Sequence, residues 1–309
     1  MVFNHIAGSV REVLSGVDDG QSEIVARIAA PAGAPGWFVP GDAIWTVHGS
    51  VATFLGGIRS LLLQALHPLA LAGVNRHSNY RADPFGRLQR TGAFIAATTF
   101  GSTELAEQTV AGIRHMHTSV NGELSDGRRY SAQDPHLLEW VHIVLVDSML
   151  TAYLDFALNG PIEPDEYVAN MAVVGRAMGV REPPETRAEL TAHLQAFRPE
   201  LVGGAEAIEV KDFVLAAPLP RGLRPGYAIM CRTALDTLPP WAAELLAHDA
   251  SPAVRKTRWL TTDLALRLLK TALVQSPALA AGEARLAGVP ADRVDKIITE
   301  PRSSDGKYR

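Results

Sequence analysis

Two histidines stand two positions apart in "AGIRHMHTSVNG" (111–122), His115 and His117. On a helix, residues so spaced are turned roughly 160° from one another and cannot share a face. With Val110 as the origin, Ala106, Ile113, His117 and Val120 fall within roughly 80° on one side, whereas His115 lies about 140° away beside Glu104 and Gln108. His117 therefore points into the protein and His115 toward water. An inward histidine on an apolar face is either a core residue satisfied by a hydrogen bond or a neutral imidazole ligand to iron, a setting that suits haem.

The helix before it carries a second mixed face. Taking Arg87 as the origin, Thr91, Phe94 and Thr98 cluster within about 40°, with Arg90 about 60° to one side. This is either a solvated edge or a cavity wall, where arginine meets a carboxylate and threonine donates one hydrogen bond. In "IRSLLLQALHP", Ser60, Gln64 and His67 draw a polar stripe through leucines. That stripe needs partners or a ligand, although His67, beside Pro68, could simply cap its helix. His142 shares a face with Leu138, Leu145, Val146 and Met149 and rivals His117 as a buried ligand. The single cysteine, Cys231, excludes internal disulfides and cysteine-based zinc or iron–sulfur sites, and reads as inert core.

The elements that must position these groups are helical. Apolar residues recur at helical spacing over 43–67, 84–99, 102–120, 164–179, 184–198 and 205–216. Ser102 is placed to cap the helix that carries His117, and Asp134 with Pro135 to start the one that carries His142. Around Gly127 the chain is expected to make one short turn or hairpin. "PLPRGLRPG" (218–226) interrupts the pattern. The expected fold is all-α, a single compact domain over 1–309 with a buried haem-binding cavity, a core at 41–217 and a helical extension at 222–309.

The 309 residues carry 29 basic and 33 acidic side chains, a net charge of -4, without a long single-sign run. No basic footprint for nucleic acid is present. With 47% hydrophobic and 20% charged residues the balance is that of a soluble globular chain. No stretch reaches about 18 uninterrupted apolar residues, so no transmembrane segment is expected. The N-terminus lacks the pattern of a cleavable leader, and the expected compartment is the cytoplasm.

Five stretches, "GDAIWTVHG", "LLLQALHPLALAGV", "HSNYRADPFGRLQRTGAFIAATTFG", "IRHMHTSVNG" and "DPHLLEWVHIVLVDSML", resemble in this order the oxygenase family typified by latex clearing protein, which includes a mycophenolic-acid-pathway oxygenase. The resemblance implies an all-α core around one haem b, with His117 as the iron ligand. It also implies that Arg87, Arg90 and Thr91 line the haem site, where the wheels add Phe94, Ile113 and His142. Arg90 stands where the rubber-cleaving members carry an iron-binding lysine; a guanidinium keeps its proton, so it would serve as donor or counter-charge. His67 or Gln64 would take the side on which those enzymes place a basic glutamate. The implied activity is oxidation of a small hydrophobic intracellular substrate with dioxygen or peroxide, with an electron donor as a further partner. A non-enzymatic haem- or lipid-binding helical protein is the alternative.

Overall fold

The computed structural model describes residues 23–290 except 157, 218, 220, 274 and 275. The N-terminal stretch read above as lacking a leader and the end of the expected extension lie outside the described residues, as do two positions of the 218–226 break. Helices dominate: α1 (Glu23–Ala29), α2 (Ala43–His48), α3 (Thr53–Gln64), α4 (Pro68–His77), α5 (Pro84–Phe100) and α6 (Thr103–His117) lead to a small hairpin of β1 (Asn121–Glu123) and β2 (Arg129–Ser131). Then come α7 (Pro135–Asp155), α8 (Pro164–Met178), α9 (Arg187–Phe197), a 3-10 turn (Arg198–Glu200) and α10 (Ala205–Leu215). After the break follow α11 (Arg224–Asp236), α12 (Pro240–Leu245), α13 (Pro252–Leu273) and α14 (Pro277–Leu286).

The protein is all-α, as its periodicity requires. Three boundaries differ from expectation for local reasons. The helix expected over 43–67 is two helices, because the chain turns at Gly49 and restarts behind Ser50, whose hydroxyl accepts from Ala52 N and whose carbonyl accepts from Thr53. The helix expected to run to 120 ends at His117. Thr118 and Ser119 turn their hydroxyls back onto the carbonyls of His115 and Met116, closing the last turn. α9 starts at Arg187 because Thr186 and Glu189 form a reciprocal capping box. Gly127, at φ +86, turns the hairpin.

At the centre lies α7. Trp140, Ile143, Val144, Val146, Met149, Leu150, Ala152 and Tyr153 are all buried, so the helix is apolar on nearly every side. It is long and apolar enough to cross a membrane, and here α3, α4, α8 and α9 pack around it. Its closest neighbour is α3. A Cβ at Gly56 would lie 2.7 Å from Met149 Sδ and 3.0 Å from Met149 Cα. Beside that crossing, the buried Arg59 donates to Asp147 Oδ2 (2.6 Å), Ser148 Oγ (2.9 Å) and the carbonyl of Thr237 (3.3 Å), tying α3 to α7 and to the end of α11.

Gly56→Ala should destabilise the protein by about 1–3 kcal/mol, because the added carbon meets the Met149 sulfur first and, right behind it, the α7 backbone at Met149 Cα and Ser148 O. Gly57→Ala, which meets nothing within 4 Å, should be neutral or stabilising by up to ~1 kcal/mol. Urea midpoints of the two variants check this, and equal midpoints would refute the close crossing.

Candidate functional site

α5 and α6 are joined through Gly101 and Ser102 and pack on each other. Ser102 caps α6 by accepting from Leu105 N (3.2 Å), as expected. The hinge is locked by Arg285 of α14, which is fully buried and donates to the carbonyls of Ala34, Phe100 (3.0 Å) and Gly101 (3.1 Å). A guanidinium offers several donors in one plane, so one side chain holds three backbone acceptors. Arg87 and His117 each lie about four turns from the hinge along their own helices. Arg114 anchors the last turn of α6 to α8 by donating to the carbonyl of Ala177 (3.0 Å).

Arg87 and Phe94 on α5 and Ile113 and His117 on α6 are all half-buried. His115 is exposed, as its helical angle requires. Burial holds the His117 imidazole below its usual pKa, which favours the neutral form. No hydrogen bond engages the ring among the described residues. Arg87 donates to Ser78 Oγ (2.6 Å), and burial lowers its pKa as well. Thr91 is exposed and spends its hydroxyl on the carbonyl of Arg87 (3.1 Å). Arg90 is turned outward, 66% exposed, and pairs with Asp83 at 3.4 Å. The face formed by the described residues is thus half-open.

His142 is placed differently. It is buried between α7 and α8, with Nε2 unpartnered and its pKa pushed down to about 4 by burial, with a smaller contribution from His193. A Cβ at Gly175 would come within 2.8 Å of its Cε1, 2.9 Å of Nε2 and 3.1 Å of Nδ1. The edge of the ring that carries both nitrogens therefore rests on the α8 backbone, with no room there for a macrocycle. His48 is also buried and satisfied on both sides, by Thr99 Oγ1 (2.7 Å) and Tyr167 Oη (3.1 Å); burial takes its pKa down to about 3.

The polar stripe of α3 resolves in two ways. Gln64 donates to Ser60 Oγ (2.8 Å), so those two satisfy each other. His67 occupies the N-cap position of α4, but its side chain makes no capping hydrogen bond. It is 1% exposed, and neither ring nitrogen makes a well-aligned hydrogen bond among the described residues, an omission that costs about 1–3 kcal/mol for a buried polar group. Its neighbours are Trp140, Phe197, His136 and Glu200 rather than the α5–α6 residues. His136, from the first turn of α7, and Glu200, from the 3-10 turn, escaped the sequence reading. They lie 64 positions apart, and only the fold joins them.

An all-α protein with such histidines is compatible with several redox and binding roles; similarity narrows them. Residues 45–271 match the model of the ER-bound oxygenase mpaB/B'/Rubber oxygenase catalytic domain. This chain belongs to that family, and it is an oxygenase-type oxidoreductase by descent. No curated protein and no solved structure matches it significantly.

Acid should loosen this fold before it reaches the carboxylates. The unfolded chain protonates histidine near pH 6.5, whereas folded His48 and His142 resist until about 3 and about 4. Unfolding therefore takes up protons across that window, and stability falls as pH falls. Between pH 7.5 and 5 each residue should remove about 2 kcal/mol. Urea unfolding at the two pH values tests this; a flat profile would contradict it, and His142→Asn should remove its share of the slope.

Proposed function

We propose that this protein is a haem-b-dependent oxygenase that acts with dioxygen or peroxide on a small hydrophobic substrate in the cytoplasm, with His117 as the iron ligand. The observation that carries the reading is His117 itself: a half-buried, neutral imidazole without a hydrogen-bond partner among the described residues, in a chain of the oxygenase family. The donor set around it suits the group. A neutral imidazole binds iron without first losing a proton. Arg87 keeps donors beyond the one given to Ser78 and is a partner for a haem carboxylate. Phe94 and Ile113 supply an apolar wall that excludes water from the ring and from the substrate beside it.

Bound haem supplies the redox-active iron that oxygenation requires. The chain's own work is to hold the substrate against an apolar surface and to keep polar groups at its rim. Thr91 Oγ1, committed to a backbone carbonyl, still accepts a hydrogen bond. Arg90, paired with Asp83, acts as a counter-charge at the solvent edge rather than as a ligand. His142 supports the fold instead of binding iron. Reducing equivalents, where the reaction needs them, come from an external electron donor.

Protein made with a haem supply should show a Soret band that shifts on reduction. His117→Ala should lose most of it, and His142→Ala, if folded, should keep it. A colourless protein that takes up no added haemin, or a His117→Ala variant with an unchanged spectrum, would overturn the assignment.

A further inference from the structure

The geometry points to a second, non-haem metal site in which His67, His136 and Glu200 together hold one divalent transition-metal ion such as zinc. The inference stands apart from the haem reading, because it uses none of the α5–α6 residues.

Three separate pieces of chain converge there: the corner between α3 and α4, the first turn of α7, and the 3-10 turn after α9. His136 Nε2 lies 2.9 Å and 3.0 Å from the two Glu200 oxygens, and His67 Nε2 lies 3.4 Å from Glu200 Oε2. One donor atom from each residue falls within 4.8 Å of the other two. With metal–ligand bonds of about 2.1 Å, two ligands of one ion sit about 3.0 Å apart at a right angle and about 3.4 Å apart at a tetrahedral angle. Two of the three edges already have those lengths.

His67 supplies the decisive observation. It is 1% exposed, and its Nε2 lies 3.4 Å from Glu200 Oε2, within ion-pair reach, yet is not aligned as a hydrogen bond to it or to any other group among the described residues. Buried imidazoles are almost always satisfied. A nitrogen and a carboxylate oxygen that approach without aligning on each other are arranged as two ligands of a common third atom are. The donor types agree with this. Two neutral imidazoles and one carboxylate offer one negative charge to a dication, through the nitrogen and oxygen ligands that zinc and its first-row neighbours accept.

The frame around the ligands is rigid. His136 is stacked on Phe197, with ring centroids 4.4 Å apart and planes 19° apart, and Trp140 packs on both Phe197 and His67. Val202 N donates to Leu66 O (2.8 Å), which fastens the Glu200 turn to the His67 corner. The His136 and Glu200 side chains are 50% and 43% exposed while His67 is sealed. An ion would thus enter from solvent and keep a position open to water, as catalytic rather than closed structural sites do.

The test is a metal titration on the full chain. Protein stripped with a strong chelator, reloaded with zinc sulfate and desalted should retain about one zinc per chain, measured separately from iron so that haem does not interfere. In competition with a chromophoric chelator, His67→Ala and Glu200→Gln should each weaken zinc binding at least ~100-fold, whereas His117→Ala should leave it unchanged while losing haem. Glu200 lies at the exposed edge, so Glu200→Gln keeps the test valid if His67→Ala fails to fold, with circular dichroism as the check. Retention below about a tenth of a zinc per chain, or equal affinity in the parent and Glu200→Gln, would overturn the site and leave an ordinary histidine–glutamate ion pair.

Discussion

The contact between α3 and α7 at Gly56 is the constraint on which the remaining arrangement depends. Where one helix offers no side chain, the other can approach until backbone meets backbone, and the position of everything carried by either helix is then fixed. α3 ends at the corner that presents His67. α7 carries His136 in its first turn, Trp140 one turn on, and His142 against α8. The Arg59–Asp147 pair beside the crossing adds direction to what packing alone would leave free to slide. A buried guanidinium that lost its carboxylate would be left uncompensated, which makes any other register costly.

Burial decides the state of the histidines. His48, His67, His117 and His142 all have their pKa values lowered, with desolvation as the leading cause in each. All four are neutral near pH 7, and a neutral ring offers a lone pair. They differ in what that lone pair meets. Both nitrogens of His48 are occupied by hydroxyl partners, so the ring serves as a structural strut. Those of His142 abut backbone. Those of His67 and His117 meet no aligned hydrogen-bond partner among the described residues, one sealed beside a carboxylate and the other on a half-open face.

Much of this was legible in the chain. The 3.6-residue period located the longer helices between 84 and 216, but it ran α2 and α3 together and left α1, α4, α12 and α14 unmarked; the caps at Ser102 and Asp134 sit where the sequence places them. The opposite exposures of His115 and His117 followed from angle alone. The break at Gly49 was less visible, since it arises from a turn rather than from any loss of apolar periodicity. Helical angles also overstated Arg90 and Thr91: a wheel shows which side a residue is on, but not that Asp83 draws Arg90 outward or that Thr91 binds its own backbone. The His136–Glu200 pairing could not be read at all. It depends on the path of the chain after α9, and no local spacing encodes that path.

Space, rather than donor chemistry, separates the two candidate iron ligands. His117 and His142 are alike in residue type, in a lowered pKa and in lacking a strong hydrogen bond. A porphyrin, however, needs several ångströms of clearance in front of the ligating nitrogen. Gly175 leaves His142 less than a methyl group's worth, and the closeness is mutual: the glycine lets α8 approach α7, and the histidine ring fills the gap that results. His117 stands half-buried in the last turn of its helix, where the chain turns away into the β-hairpin. The packing of His142 into the core is for that reason an argument against it as a ligand, and it supports the proposed assignment of His117.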